Sequence, residues 1–290
     1  MTDLVSPFLD YGFMRRALAA CLAISASAAP LGLFLMMRRM TLMGDAMSHA
    51  ILPGVSVAFV VAGVALWPMT LGGLIAGLLI AFIAGAISRL TPLKEDASFT
   101  GIYIIALALG VMMISVKGSA IDLMHVLFGN VLAVDNPSLA LITGVASVTL
   151  LTLAVIYRGL ILECCDPGFL RAVRGCGGLF HQIFLMLVVL NLVAAFQVLG
   201  TLMALGLMIL PALTARFWAE RLEWMMALSV LTACTASLTG LLLSYHVNVP
   251  SGPAIILVAG AFYAVSLIGG RHGGIIFRYL PRKHWNPKEI

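Results

Sequence analysis

Nine stretches of about 20 residues, each almost free of charge, recur near 17–37, 46–66, 69–88, 98–116, 137–157, 179–197, 198–217, 224–244 and 253–270. Wound as an α-helix, a run of that length matches the roughly 30 Å hydrocarbon core of a bilayer. A soluble domain carries about 25% charged residues. This chain carries 10%, against 62% hydrophobic, and its mean hydropathy is +1.09. It has too little polar surface to face water on all sides, so lipid is its solvent. The spacing predicts an all-α fold, a single polytopic transmembrane helical bundle over residues 1–290. Nine spans is the direct count. The runs 179–197 and 198–217 require a tight turn between them, and eight spans result if one run is re-entrant.

The formal net charge of +5 would suggest nucleic acid in a soluble protein. In a membrane protein its distribution carries the meaning, because Lys and Arg mark cytoplasmic loops. Placing Arg158, Arg171 and Arg174 in the cytoplasm puts 14 of the 17 basic residues on that side, and leaves Arg15, Arg16 and Lys117 outside. A multi-pass protein of a bacterial inner membrane with a cytoplasmic C-terminus is expected, with no nucleic-acid partner. The acidic opening MTDLVSPFLDYGF, followed by Arg15 and Arg16, leads into a full span and does not read as a cleaved signal. Five cysteines, an odd number, argue against a disulfide scaffold. The C-C-x10-C spacing of Cys164, Cys165 and Cys176 matches no structural zinc pattern. No G-x-x-x-x-G-K-[ST], H-E-x-x-H or G-x-S-x-G occurs. The chain therefore holds no P-loop ATP site and carries no metalloprotease or serine-hydrolase signature.

The segment RRMTLMGDAMSHAILPG (38–54) carries the most chemistry. Asp45 and His49 are four residues apart, so they share one helix face. Carboxylate and imidazole suit zinc, manganese or iron, and ionisable groups at membrane depth are functional candidates. A structural alternative stands beside this: Asp45 as a helix N-cap and His49 as a packing residue. Pro53-Gly54 breaks the run, either as an ordinary kink or as a broken helix beside a cavity. The loop 163–178 reads as a short helix opened by Asp166-Pro167 and closed at Gly175.

GDAMSHAILPG resembles the signature of the permease subunits of bacterial ABC importers for zinc, manganese and iron. Further segments resemble that family in order: KEDASFTGIYIIALALGVMMIS (94–115), DLMHVLFGNVLAVD (122–135), VLGTLMALGLMILPALTARF (198–217) and SYHVNVPSGPAIIL (244–257). The resemblance implies a type II ABC importer permease fold and a transport subunit rather than an enzyme. It implies a homodimer, two cytoplasmic ATP-binding subunits and an extracytoplasmic metal-binding protein. Asp45 and His49 would then lie in the pathway of a divalent metal, zinc first and manganese next, with no permanently bound cofactor. Family members often have Asp at the position of Asn248, a weaker neutral ligand that His246 could supplement. The loop resembles the family's D-P-x-F-A-x-A-x-G stretch through Asp166, Pro167, Phe169 and Ala172. It departs from it at Leu170 and at Arg174, which Gly175 follows. With Arg171 these residues form the expected contact with an ATPase. Asp122 and His125 are candidates for meeting incoming metal. A stand-alone secondary transporter or channel is the rival reading, and the scarcity of acids within the spans counts against it.

Overall fold

A chain that must satisfy every backbone polar group inside lipid has the helix as its economical solution, and helices account for nearly all of the described residues. The computed structural model describes residues 7–8, 10–63, 65–91, 95–116, 131–165 and 177–276. The expected ATPase contact (Asp166 to Gly175), Asp122 and His125 lie outside these. Ten α-helices run through the described residues: α1 (Gly12–Met37), α2 (Thr41–Ala50), α3 (Leu52–Ala62), α4 (Leu66–Leu90), α5 (Glu95–Val116), α6 (Asn136–Cys165), α7 (Gly177–Leu199), α8 (Thr201–Arg216), α9 (Leu222–Val247) and α10 (Ser251–Gly269). A 3-10 turn, Val131–Ala133, precedes α6. Asp135 then caps α6, its Oδ1 accepting from the Ser138 N–H at 2.9 Å. The side chain and backbone of Ser138 hold the Asp135 carboxyl below the usual carboxylate range.

Eight segments are long and apolar enough to cross a membrane, α2 and α3 together forming one of them, Thr41–Phe59. The ninth crossing is α8. At 16 residues it spans about 24 Å, shorter than the sequence run because Gly200 turns the chain with φ 89° and ψ 161°, a conformation essentially reserved for glycine. Contacts at the helix ends decide that α8 crosses fully. The Tyr11 and Tyr245 rings lie 6.1 Å apart, which puts the start of α1 and the end of α9 at one end of the bundle. A re-entrant α8 would have put them at opposite ends. The Arg16 Nε–H donates to the Val134 carbonyl at 2.9 Å, so the entry to α6 lies at that first end too. The His272 N–H donates to the Phe217 carbonyl at 3.0 Å, joining the exits of α8 and α10 at the second end. Among the described residues the helix directions thus alternate through nine segments, eight of them long and apolar enough to span by themselves and α8 the short one.

Helices α1 and α7 form the middle. Their apolar stretches are 72% and 67% buried, against 22% for α5. Helix α1 packs against α6, α7, α8 and α9; α7 joins this group to a second one made of α2, α3, α4 and α5. Small residues make the centre possible, since lipid supplies no hydrophobic drive between helices and close backbone approach must replace it. A Cβ on Gly32 of α1 would stand 1.8 Å from the Met208 carbonyl oxygen of α8. Hydrogen bonds between helices add to this packing. The Asn191 side chain of α7 donates to Thr149 Oγ1 of α6 at 2.6 Å, and the hydroxyls of Ser25 in α1 and Ser237 in α9 meet at 3.2 Å. Interhelical bonds of this kind contribute about 1 kcal/mol within a bilayer. Thr149→Val is therefore expected to lower stability by that amount without changing the fold, measurable as a small drop in the thermal midpoint in detergent.

The turn between α1 and α2 is tightly built. The Met40 N–H donates to the Leu35 carbonyl at 2.9 Å and the Arg39 N–H to the Met36 carbonyl at 3.0 Å. This is the Schellman pattern of a helix C-terminus, with Met40 and Leu35 both buried. Arg39 occupies the left-handed position, φ 60°, where glycine is usual.

Candidate functional site

Helix α2 starts at the second end of the bundle. Its inner face carries Met43, Ala46, Met47 and Ala50, all buried, and Gly44 lies against α8, where a Cβ would come within 2.9 Å of Met208 Cε. One turn apart on another face stand Asp45 and His49, with side chains 59% and 31% exposed and His49 Nε2 3.8 Å from Asp45 Oδ1. The pair is brought together as its spacing required. The N-cap alternative for Asp45 is not what the chain adopts: the cap is Met40 and the helix begins at Thr41, so Asp45 sits a full turn inside. From the 1.5 Å rise per residue, Asp45 lies about 6 Å and His49 about 12 Å along α2. His49 thus lies near the middle of the apolar segment Thr41–Phe59. Its ring lies over Tyr103 of α5, centroids 6.3 Å apart and planes at 27°, an aromatic neighbour that the sequence did not single out.

Pro53 ends the helix where His49 needs it to continue. Proline lacks the N–H that would bond the carbonyl four residues back, and that carbonyl belongs to His49. The chain turns at Ile51, whose N–H caps onto the His49 carbonyl, and restarts as α3 with Pro53 in its first turn. Glycines from neighbouring helices enclose the break. A Cβ on Gly54 would lie 2.0 Å from the Gly72 carbonyl oxygen of α4, and one on Gly110 of α5 would lie 3.1 Å from Pro53 N. Ile51 keeps right-handed helical angles, φ -74° and ψ -28°, so the interruption is a one-residue kink within the segment Thr41–Phe59, directly beside an imidazole and a carboxylate.

His246 and Asn248 fall elsewhere. Both are exposed at the first end, where α9 finishes. Asn248 is the C-cap, left-handed at φ 57° and ψ 41°, a conformation that Asn tolerates better than most residues. The His246 ring packs edge-on to Tyr245 at 5.4 Å. The turn is not brought to the face of Asp45 and His49. No group of three or more His, Cys, Asp and Glu gathers among the described residues, so among these Asp45 and His49 are the two carboxylate and imidazole donors at the α2 site.

A second polar cluster lies at the second end and was not anticipated. Arg38, the C-cap of α1, places its Nη2 3.0 Å from Glu163 Oε1 near the end of α6; the two side chains are only 11% and 9% exposed. Its Nη1 donates to Nδ1 of His181 in the first turns of α7, and its guanidinium carbon stands 5.6 Å from the centre of the Phe184 ring. Burial would lower the Arg38 pKa. A hydrogen bond to Cys164 and the charge of Glu163 outweigh it, and the group is held protonated more firmly than free arginine.

The bundle of apolar helices, with an ionisable pair beside a helix kink, has the architecture of a multi-pass membrane protein. The chain matches the model of the ABC 3 transport family over residues 10–270, and it belongs to that family. It is 32% identical over 280 residues to the manganese transport system membrane protein MntC of Halalkalibacterium halodurans, covering 96% of this chain and 94% of the relative. It is 34% identical over 266 residues to the manganese import system permease protein ScaB of Streptococcus parasanguinis, covering 92% and 94%. The chelated iron transport system membrane protein YfeD of Yersinia pestis is 29% identical, with 92% and 88% covered. Among solved structures, PsaBC from Streptococcus pneumoniae in complex with Fab superposes with a TM-score of 0.82 at 32% identity, over 96% of this chain and 98% of that one. A metal-chelate type ABC transporter in an inward-facing conformation shares the fold, with a TM-score of 0.71 at 14% identity, over 87% and 85%. The chain is thus a permease subunit of an ABC-type metal transporter.

Proposed function

We propose that this permease imports a divalent transition metal, manganese before zinc or iron, through a path that passes Asp45 and His49. The observation that carries the proposal is the Asp45–His49 face next to the Pro53 break in a chain of this family. Two donors per chain are too few for a transition metal, which takes four or more. A second copy, facing the first, would supply another carboxylate and another imidazole. Four such donors from two chains bind an ion yet can part to release it, which suits a transport site better than a closed cage in one subunit. The sequence leaned to zinc; the names of the manganese permeases above move the first choice to manganese.

In this reading a metal-loaded binding protein docks at the first end, near His246 and Asn248, and the second end faces the cytoplasm. The exposed basic residues at that end and the cytoplasmic bias of the loops support this direction. ATP is bound by separate subunits, because the chain has no P-loop of its own. They engage the segment that contains Asp166, Pro167, Phe169, Arg171, Ala172, Arg174 and Gly175, and their closure drives α2 between outward and inward poses. The metal ion is the substrate, and no covalent step occurs.

The test is a strain lacking this chain, grown under separate manganese, zinc and iron limitation and complemented with the wild type. Restored growth confined to manganese limitation is expected. Transport by the purified chain alone, in liposomes without ATP or a partner, would sink the proposal in favour of a secondary carrier.

A further inference from the structure

Arg38 connects three elements. As the C-cap of α1 it opens the Schellman turn that leads into α2, three residues before Thr41. Through Glu163 and Cys164 it is tied to the end of α6, and through His181 to the start of α7. Residues 166–176, the stretch expected to touch the ATPase, join those same two helices in the sequence. The guanidinium therefore grips both flanks of that stretch while standing at the root of the helix that carries Asp45 and His49.

Stability alone does not account for such an arrangement. A buried ion pair contributes little over well-packed apolar side chains of the same size, because desolvation offsets the Coulomb attraction. Geometry distinguishes it instead: the guanidinium is planar, with several donors in fixed directions, and here it is met by groups from two helices. The turn that follows is equally constrained, by the bonds Met40 to Leu35 and Arg39 to Met36 and by the buried Met40 side chain. Hydrogen bonds and packing thus fix Arg38 to the α6 and α7 ends on one side and to the base of α2 on the other.

We propose that Arg38, Glu163 and His181 are positioning residues that transmit movement of the ATPase-facing ends of α6 and α7 to the metal-site helix α2. This rests on the reading that separate ATPase subunits drive the permease at that end. Coupling through a contiguous network of this kind is tested by whether its removal separates two measured activities.

The experiment uses the whole complex, permease with its ATPase subunits and binding protein, in proteoliposomes loaded with manganese, and reads manganese moved per ATP hydrolysed. In R38M/E163M both charges are replaced by apolar groups of similar bulk, a change that leaves buried pairs as stable or more so. The expected result is an assembled complex with an unchanged or raised thermal midpoint, continued ATP hydrolysis and at least a tenfold lower transport ratio. His181→Ala, which leaves the ion pair in place, is expected to lower the ratio. His181→Gln, which keeps an acceptor for Arg38, is expected to restore most of it. Should the double variant not assemble, the His181 pair decides. Wild-type ratios in R38M/E163M, or equal ratios in His181→Ala and His181→Gln, overturn the transmission role while the importer reading stands. A wild-type complex that moves neither manganese, zinc nor iron with ATP overturns the importer reading, and the transmission role falls with it.

Discussion

Substituting alanine for Asp45 or His49 is expected to bring manganese uptake down to background in cells whose membranes contain the variant at wild-type level. Both side chains lie outside the packed face of α2, which is held by Met43, Ala46, Met47 and Ala50. Exposed substitutions of this kind change stability by about 0.5 kcal/mol or less, so the bundle keeps its shape. The donor set does not. Even residues that only orient a ligand change metal affinity by about 10–100-fold when removed, and a direct donor does at least as much. Asp45→Asn separates the charge from the shape: it keeps the volume and one acceptor oxygen, and uptake is expected between the wild type and Asp45→Ala. The checks are radioactive manganese uptake in whole cells and the permease level in isolated membranes. Uptake at the wild-type rate in both alanine variants would reduce Asp45 and His49 to surface residues of α2.

The second large effect concerns packing. Adding one methyl at Gly32 places an atom 1.8 Å from the Met208 carbonyl oxygen and 2.6 Å from its carbon. Backbone atoms cannot rotate aside as a side chain end can, so α1 and α8 must separate. Overpacking a core side chain costs about 1–3 kcal/mol, and a backbone clash belongs at or above the top of that range. Gly32→Ala is expected to lose at least about 3 kcal/mol, seen as a sharp fall in the thermal midpoint in detergent or as loss of the protein from the membrane. The contrast is Gly144→Ala, since nothing lies within 4 Å of a Cβ there. It removes a helix-interior glycine and gains up to about 1 kcal/mol. Equal melting of Gly32→Ala and the wild type would mean that α1 and α8 do not approach as described.

What the sequence made legible follows from how local each signal is. The crossings were readable because each is a continuous apolar run, and the Asp45–His49 face because helical periodicity joins residues four apart. The break at Pro53 was readable as a break, although its enclosure by Gly72 and Gly110 was not. Boundaries shifted where a single backbone angle decides them: Gly200 moved the start of α8, and Thr41 moved the start of α2 ahead of Asp45, which removed its capping role. The Arg38–Glu163–His181 cluster was out of reach for another reason. Arg38 is more than a hundred positions from both of its partners along the chain, and each residue by itself resembles an ordinary loop charge or end residue. Arg16 stood out in the sequence as a charge against the inside-positive trend, with no visible reason. Its bond to the Val134 carbonyl gives it a local partner, so it need not mark the cytoplasm.

The alternation of the described helices also fixes a parity. Tyr11, at the start of α1, and Gly270, at the exit of α10, stand at opposite ends of the bundle, whichever way it is inserted. Two copies side by side in one orientation would then present both α1 starts on one side of the membrane and both α10 exits on the other. A label attached ahead of α1 and one attached behind α10 can never be quenched by the same impermeant reagent. This makes the pair a direct reporter of how the bundle sits in its membrane.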